Sequence, residues 1–313
     1  MKVLVTCPPM LGLFNEFVPE FERFELDGVA ANVTQVMTEE ELIEVLPNYD
    51  GWIIGDDPAT RRVFEAGVAG SLRAAVKWGV GVDNVDFKAC EDMGIPIINT
   101  PGVFGNEVAD VALAFLLGLS RHTYEIDRAI RYDQAWPKPP GVSLWNKTVA
   151  VVGYGDIGRA TVRRLRAFDL DVIAYDPFAS VEAVEGLSQA QWPERLGEAD
   201  FLVFTCPLTD STRHMFNHDL IDKLKPGVRV VNVARGPIIN ESALVDALEK
   251  GIVHSAALDV FEVEPLQEAS PLRKFDNLIY GSHNGSNSVD AVRKVSHIAI
   301  QKIAGFLGQS AIR

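Results

Sequence analysis

Residues 147–176 read KTVAVVGYGDIGRATVRRLRAFDLDVIAYD, and the order of residue types in that stretch decides the fold. Lys147, Thr148, Val149, Ala150, Val151 and Val152 form a β-branched run suited to a buried strand. Gly153, Gly155 and Gly158 follow at the G-x-G-x-x-G spacing. In such a turn the first glycine allows the tight bend, the second admits a pyrophosphate to the backbone, and the third lets the next helix pack on the strand. Asp156 and Ile157 open a helix predicted over 156–168, in which Ile157, Ala160, Leu165 and Phe168 share one face. The free amides at that helix start can point at a phosphate anion. A second strand over 171–175 delivers Asp176, 18 residues beyond Gly158 and close to the roughly 20 expected of an acid that binds ribose hydroxyls.

Three glycines at this spacing are a weak signal alone, but strand, helix, second strand and terminal acid together describe a dinucleotide site. Asp176 also selects the nucleotide. A carboxylate at the ribose edge would face the 2′-phosphate of NADP, and two like charges 4 Å apart repel by about 4 kcal/mol at an effective dielectric near 20. Neither Pro177 nor Phe178 can neutralise that phosphate, so the expected cofactor is NAD.

The remainder of the 313 residues alternates strands with helices, which implies an α/β protein of two domains. Hydrophobic residues make up 47% and charged residues 23%, ordinary for a globular chain, with no repeat or low-complexity tail. A net charge of −14 argues against a nucleic-acid partner, which needs a basic surface. The most apolar stretch, 108–119, is 12 residues long, reads as a buried helix, and falls short of the roughly 20 residues that span a bilayer. No membrane partner is expected. The N-terminus opens directly on a short strand over 1–6, without the apolar core of a signal peptide. Cys7, Cys90 and Cys206 are widely spaced and form no C-x-x-C pair, so neither a disulfide framework nor a zinc or other metal site is indicated, and a reducing cytoplasm is the expected setting. Cys206, next to Pro207 at a strand end, reads as a packing residue rather than a nucleophile.

Before the glycine loop, strands are expected over 2–6, 51–54 and 74–78, with helices near 39–46 and 60–66. Gly79, Gly81 and Asp83 then form a turn with no third spaced glycine and no acid-tipped strand, so this lobe should bind something smaller than a dinucleotide. A turn-rich junction over 99–105 leads into a helix over 106–122, and 133–145, rich in Pro and Gly, reads as a surface loop. Beyond residue 149 strands are expected near 201–205, 228–233, 255–258 and 277–280, which with the two around the glycine loop makes six. A last helix over 289–307 would return to the first lobe. The expected architecture is two Rossmann-like or flavodoxin-like lobes, each a doubly wound parallel sheet, with an active-site cleft between them. Residues 1–100 plus 286–313 form the substrate lobe and 101–285 the NAD-binding lobe.

Arg235, Asp259 and His283 each end or follow a strand of the second lobe, and Glu264 stands in the loop after Asp259, directly before Pro265. Ligands of such sheets bind at the carboxyl ends of strands. Reducing a carbonyl needs a proton donor, a cation for a carboxylate and an acid to hold an imidazole, and His283, Arg235 and Glu264 supply those types.

The runs Val231-Asn232-Val233-Ala234-Arg235-Gly236 and Leu258-Asp259-Val260-Phe261-Glu262-Val263-Glu264-Pro265 resemble the signature of the D-isomer-specific 2-hydroxyacid dehydrogenases. The likeness also covers 79–86 and Cys206-Pro207-Leu208-Thr209, and is nearest to the catalytic part of the D-3-phosphoglycerate dehydrogenases, without their regulatory domain. It implies that Arg235 binds the substrate carboxylate and polarises the carbonyl, that His283 gives or takes the proton, and that Glu264 hydrogen-bonds the imidazole and favours its protonated form. It further implies that Asp259 meets the nicotinamide carboxamide, with Cys206, Pro207, Thr212, Ala234, Arg235 and His283 also lining the cofactor site. Backbone amides of Val80, Gly81 and Val82 would hold the substrate carboxylate. The resemblance implies homodimers built through the cofactor lobe.

Several positions depart from that pattern. Ser282 replaces the usual proline before the histidine, and Asn284 replaces an apolar residue. Glu107 stands where relatives often carry Ser or Thr, and reads as an acid favoured by the first turn of a helix. Phosphoglycerate-type relatives commonly place arginines near the positions of Lys77 and Gly55. Here Lys77 keeps a charge, either as a phosphate ligand or as a surface residue, while Asp56 and Asp57 add negative charge. Hydroxypyruvate or glyoxylate reduction therefore stays open as an alternative. So does phosphite oxidation on the same scaffold, whereas formate enzymes pair the histidine with glutamine. An NAD-sensing corepressor without catalysis is the reading from a different class.

Overall fold

The computed structural model describes residues 1–181 and 184–311, so the last two positions of the expected substrate lobe lie outside the described residues. The chain divides into two compact units, one holding Met1–Phe104 and the chain from Asn287 onward, the other Gly105–Ser286. The first unit keeps residues 101–104, contrary to the expected boundary at 100. Thr100 exchanges backbone and hydroxyl bonds with Gly79, and the Phe104 ring lies 5.3 Å from that of Trp78, which ties this stretch to the first sheet.

In the first unit β1 (Lys2–Val5), β2 (Asp27–Ala30), β3 (Gly51–Ile54), β4 (Ala74–Lys77) and β5 (Ile97–Asn99) form one parallel sheet in the order β2-β1-β3-β4-β5. Helices α1 (Pro8–Leu11), α2 (Phe14–Arg23), α3 (Glu39–Val45), α4 (Arg61–Ala69) and α5 (Phe87–Met93) connect the strands. The reading of the sequence assigned neither β2 nor β5, and nothing between residues 7 and 38. β2 is a partly exposed edge strand with no alternation, and α2 carries Pro19 inside it, a residue that reads as a breaker. The helix nevertheless forms, because Phe17 and Phe21, four residues apart, bury completely on one face.

The second unit opens with α6 (Gly105–Arg121) and α7 (Thr123–Tyr132). Its strands are β6 (Thr148–Val152), β7 (Asp171–Tyr175), β8 (Leu187–Gln189), β9 (Phe201–Phe204), β10 (Val228–Asn232), β11 (Val253–Leu258) and β12 (Leu278–Tyr280). They pair in parallel in the order β12-β11-β10-β9-β6-β7-β8, with α8 (Asp156–Arg166), α9 (His218–Ile221) and α10 (Glu241–Glu249) among the connections. The sheet has seven strands rather than the expected six. The added β8 is a three-residue edge strand reading Leu-Ser-Gln, too short and too polar to show a pattern. β6, β9, β10 and β11 are buried almost throughout, as parallel strands covered on both faces must be. The helix after the glycine loop ends at Arg166, so Phe168, at 39% exposure, does not share its buried face, which Ala160, Val162 and Leu165 form instead.

The closing helix α11 (Val289–Phe306) belongs to the first unit, where it packs on α2, β3 and β4. Gly51 permits this approach, since a Cβ there would lie 3.0 Å from Ile303 Cγ1.

Candidate active site

Strand register sets the site. Across the second sheet Tyr280, Leu258, Asn232, Phe204, Val152 and Tyr175 are successive partners, so six strands end level in one row. Just past that row come His283, Asp259 with Glu264, Arg235, Cys206, Gly153 and Asp176, in the same order. The strand order reverses between β6 and β9, where the chains leaving the sheet diverge and leave room for a ligand.

Each glycine of the loop fits its expected task. Gly153 has φ +95°, and a Cβ on it would strike the Cys206 backbone at 2.7 Å. A Cβ on Gly158 would come within 2.0 Å of the Gly153 carbonyl oxygen, which explains how α8 packs so close. Gly155 is exposed and has nothing within 4 Å of where a Cβ would stand, leaving open backbone for a phosphate. Asp156 beside it is exposed and Ile157 is half-buried. Asp176 holds the loop from the other side. Its Oδ2 accepts the Tyr154 amide at 2.7 Å, and its Oδ1 accepts those of Phe178 at 2.8 Å and Ala179 at 2.9 Å. Burial alone would raise this carboxyl, but the three amides outweigh it and hold Asp176 below the usual carboxylate range.

After β9, Cys206 is buried and its thiol is pushed up to about 12 by desolvation, which fits a packing role. Pro207 is exposed, and its carbonyl accepts from Thr212 Oγ1 at 2.7 Å while Thr212 also takes the Thr209 amide, closing a turn above the strand.

The turn of Arg235 is shaped by Asn232, a fully buried residue whose role the sequence reading missed. Its Oδ1 accepts the Ala234 amide at 3.0 Å and its Nδ2 donates to the Arg235 carbonyl at 2.9 Å. An amide directly after the apolar pair Val230-Val231 at a strand end is the signal that marks it. Arg235 itself is half-buried and donates from Nη1 to the Ala234 carbonyl at 2.8 Å. Gly236 then lies so close to the next turn that a Cβ would overlap the Phe261 carbonyl at 1.8 Å, which locks the Arg235 turn against the one bearing Glu264.

His283 Nδ1 lies 2.7 Å from Glu264 Oε2, and Glu264 Oε1 accepts the Phe261 amide at 2.9 Å. A hydrogen on Nδ1 would point at Glu264 Oε2, and Nε2 is the other nitrogen of the ring. The backbone of His283 has φ +55° and donates to the Asp259 carbonyl at 2.7 Å. Asp259, only 3% exposed, takes the Asn284 amide on Oδ1 and the Gly285 amide on Oδ2. Burial pushes its carboxyl above the usual range, against those two amides. Asp259 thus fixes the loop that presents His283.

In the first unit Val80 and Val82 are exposed and Gly81 half-buried, in a turn braced by Thr100 and by Asn99 Nδ2 on the Val80 carbonyl. Lys77 is no surface residue. It is 2% exposed, and its Nζ donates to the Gly55 carbonyl at 2.5 Å and to Asp56 Oδ1 at 3.0 Å. Asn84 Nδ2 donates to the same Gly55 carbonyl.

A glycine loop on a doubly wound sheet, an acid ending the next strand and a histidine–glutamate pair in the same row define an NAD-dependent oxidoreductase. Residues 113–285 match the family model described as the NAD binding domain of D-isomer specific 2-hydroxyacid dehydrogenases. The chain is 34% identical over 277 residues to the hydroxypyruvate reductase of Thermotoga maritima, covering 87% of this chain and 89% of that one. It is 33% identical over 308 residues to the D-3-phosphoglycerate dehydrogenase of Archaeoglobus fulgidus, spanning 97% of this chain but 56% of that longer protein. Among solved structures the TT0316 protein of Thermus thermophilus superposes with a TM-score of 0.87 at 27% identity, over 98% of this chain and 97% of that one. The protein therefore belongs to the D-isomer specific 2-hydroxyacid dehydrogenase family. Its residues fit the cofactor: Gly155 leaves open backbone where a phosphate would approach, and Asp176 sets a carboxylate at the end of the following strand.

Proposed function

We propose that this protein interconverts a small D-2-hydroxy acid and its 2-oxo acid, with NAD supplying or accepting the hydride. The carrying observation is the His283–Glu264 pair, set in the same row of strand ends as the glycine loop. Arg235 holds the substrate carboxylate and polarises the carbonyl. His283 Nε2 gives the carbonyl oxygen its proton in reduction and takes it back in oxidation, while Glu264 keeps the ring oriented. The amides of Val80, Gly81 and Val82 are the second carboxylate ligand in this reading. In this reading the unit of residues 1–104 with the chain from Asn287 onward serves the substrate and that of residues 105–286 the cofactor, in place of the expected junctions at 100 and 285.

The substrate tail is short and carries no phosphate, as in hydroxypyruvate or glyoxylate. Lys77 is the basic residue at the position expected to meet a phosphate, and its ammonium is already committed to Gly55 and Asp56 beneath Gly79. A buried carboxylate-paired lysine is a brace, and Asp56 would repel a dianionic tail. Glu264, in place of glutamine, speaks against the formate branch.

A homodimer through the cofactor unit accords with its surface. No residue of α7 is buried, and Tyr132 and Trp136 at 78% exposure and Trp145 at 64% leave large apolar side chains exposed on α7 and in the loop after it. Three free, buried thiols accord with a reducing, cytoplasmic setting. No helix among the described residues is long and apolar enough to cross a membrane.

The test follows NADH absorbance against glyoxylate, hydroxypyruvate, pyruvate, 2-oxoglutarate and 3-phosphohydroxypyruvate, with phosphite and NAD as a separate arm. The expected kcat/KM for hydroxypyruvate or glyoxylate exceeds that for 3-phosphohydroxypyruvate by about tenfold or more, the worth of one charge-assisted bond. The reverse ranking overturns the tail assignment. Tight NADH binding without turnover on any acid favours the sensor reading.

A further inference from the structure

Glu107 stands in the first turn of α6, and its Oε2 is buried without a hydrogen-bond partner among the described residues. Two close approaches inside the cofactor unit show where that turn lies. A Cβ on Gly105 would come within 2.6 Å of the Asp156 carboxylate, so the turn begins against the start of the glycine-loop helix. A Cβ on Gly285 would lie 3.6 Å from Val108 Cγ2, so the same turn also meets the loop presenting His283. The turn that carries Glu107 therefore touches both the start of the glycine-loop helix and the loop presenting His283.

Nearby basic side chains are already engaged elsewhere. Arg163 and Arg164 donate to Asn106 Oδ1, and Arg164 also pairs with Asp110 at 2.6 Å. The backbone amides at the start of α6 give Oε2 no hydrogen bond either. A buried carboxylate oxygen left without a donor is costly and calls for a partner that arrives from outside.

We propose that Glu107 is a specificity-determining residue for the redox state of the cofactor, facing the nicotinamide end and favouring the oxidised form. This rests on the functional reading above, which places the nicotinamide beside His283. The oxidised ring carries a positive charge and the reduced ring none, so a fixed carboxylate attracts one and is indifferent to the other. Any hydrogen bond from the carboxamide to Oε2 is common to both forms and cancels in their ratio. The consequence is a site biased toward NAD over NADH, set by a residue outside the proton-transfer pair.

Titration calorimetry of the full chain with NAD and with NADH, for wild type and Glu107→Gln, reads this directly. The glutamine variant should lose about tenfold or more in NAD affinity, roughly 1.4 kcal/mol, while NADH affinity changes by less than about threefold. Thermal unfolding confirms that the variant is folded, and Glu107→Ser provides the same comparison if it is not. Equal changes for both nucleotides, or no change in either, overturn the proposal while leaving the functional reading intact. Failure of the wild type to bind either nucleotide overturns both.

Discussion

His283 is held at its backbone and at its ring by separate partners, the Asp259 carbonyl and the Glu264 carboxylate. Loss of such an orienting partner typically costs 10–100-fold in function, and Glu264→Ala is expected to lower kcat/KM by about that factor while NADH affinity, followed by fluorescence, stays within about threefold. Two aspartates pull stability in opposite directions with pH. Asp176 lies below the ordinary range, so its contribution is present above the unfolded value near ~3.9 and is lost as pH falls through the depressed folded value. Asp259 lies above it, so its contribution is present below that value and is lost as pH rises through the elevated one. Denaturant unfolding of Asp176→Asn should accordingly show a deficit at pH 7 that shrinks as pH falls below the unfolded value near ~3.9; a deficit unchanged with pH would contradict the role given to its charge. That the glycines, Asp176, Arg235, Glu264 and His283 stand past one row of strand ends was legible because spacing and residue type mark those ends. Asn232 was not, because its partners are backbone groups of Ala234 and Arg235 that no residue type announces, and the bracing of Lys77 was not, because it meets Gly55 and Asp56 only once β3 and β4 pair.

At the scale of elements, the glycine loop separates fold from function. Gly155 has open space and a φ of −77° that any residue can adopt, whereas Gly158 is pressed against the Gly153 carbonyl. Gly155→Ala should fold with a stability within about 0.5 kcal/mol of wild type, as ordinary surface changes do, yet weaken NADH binding tenfold or more by placing a methyl where the pyrophosphate approaches. Gly158→Ala should instead cost about 1–3 kcal/mol through overpacking. Unfolding curves and calorimetry on the pair check both; a Gly155→Ala variant that binds NADH like wild type contradicts the assigned phosphate contact. Strands with continuous apolar runs, such as β6 and β9, were readable from sequence because burial on both faces demands them. The edge strands β2 and β8 were not, having few residues and little apolar pattern, and α7 escaped because it buries nothing within its own chain.

For the whole molecule, the exposed aromatics of α7 and the loop after it predict a self-associating surface. Trp136→Lys should shift the mass measured by light scattering from dimer toward monomer, and a wild type that is monomeric at micromolar concentration contradicts this interface. The division into two units followed from the alternation of strands and helices, but its junction depended on Thr100 and Phe104 returning to the first sheet, a contact no local pattern announces. The central claim is that a hydride donor held on the glycine loop works with the proton of His283. The most direct test compares NADH oxidation by wild type and His283→Ala with saturating hydroxypyruvate or glyoxylate, alongside the NADH dissociation constant of each. Removing the proton donor should lower kcat by about 10²–10⁴-fold, with NADH affinity nearly intact. Turnover undiminished in His283→Ala would contradict the account.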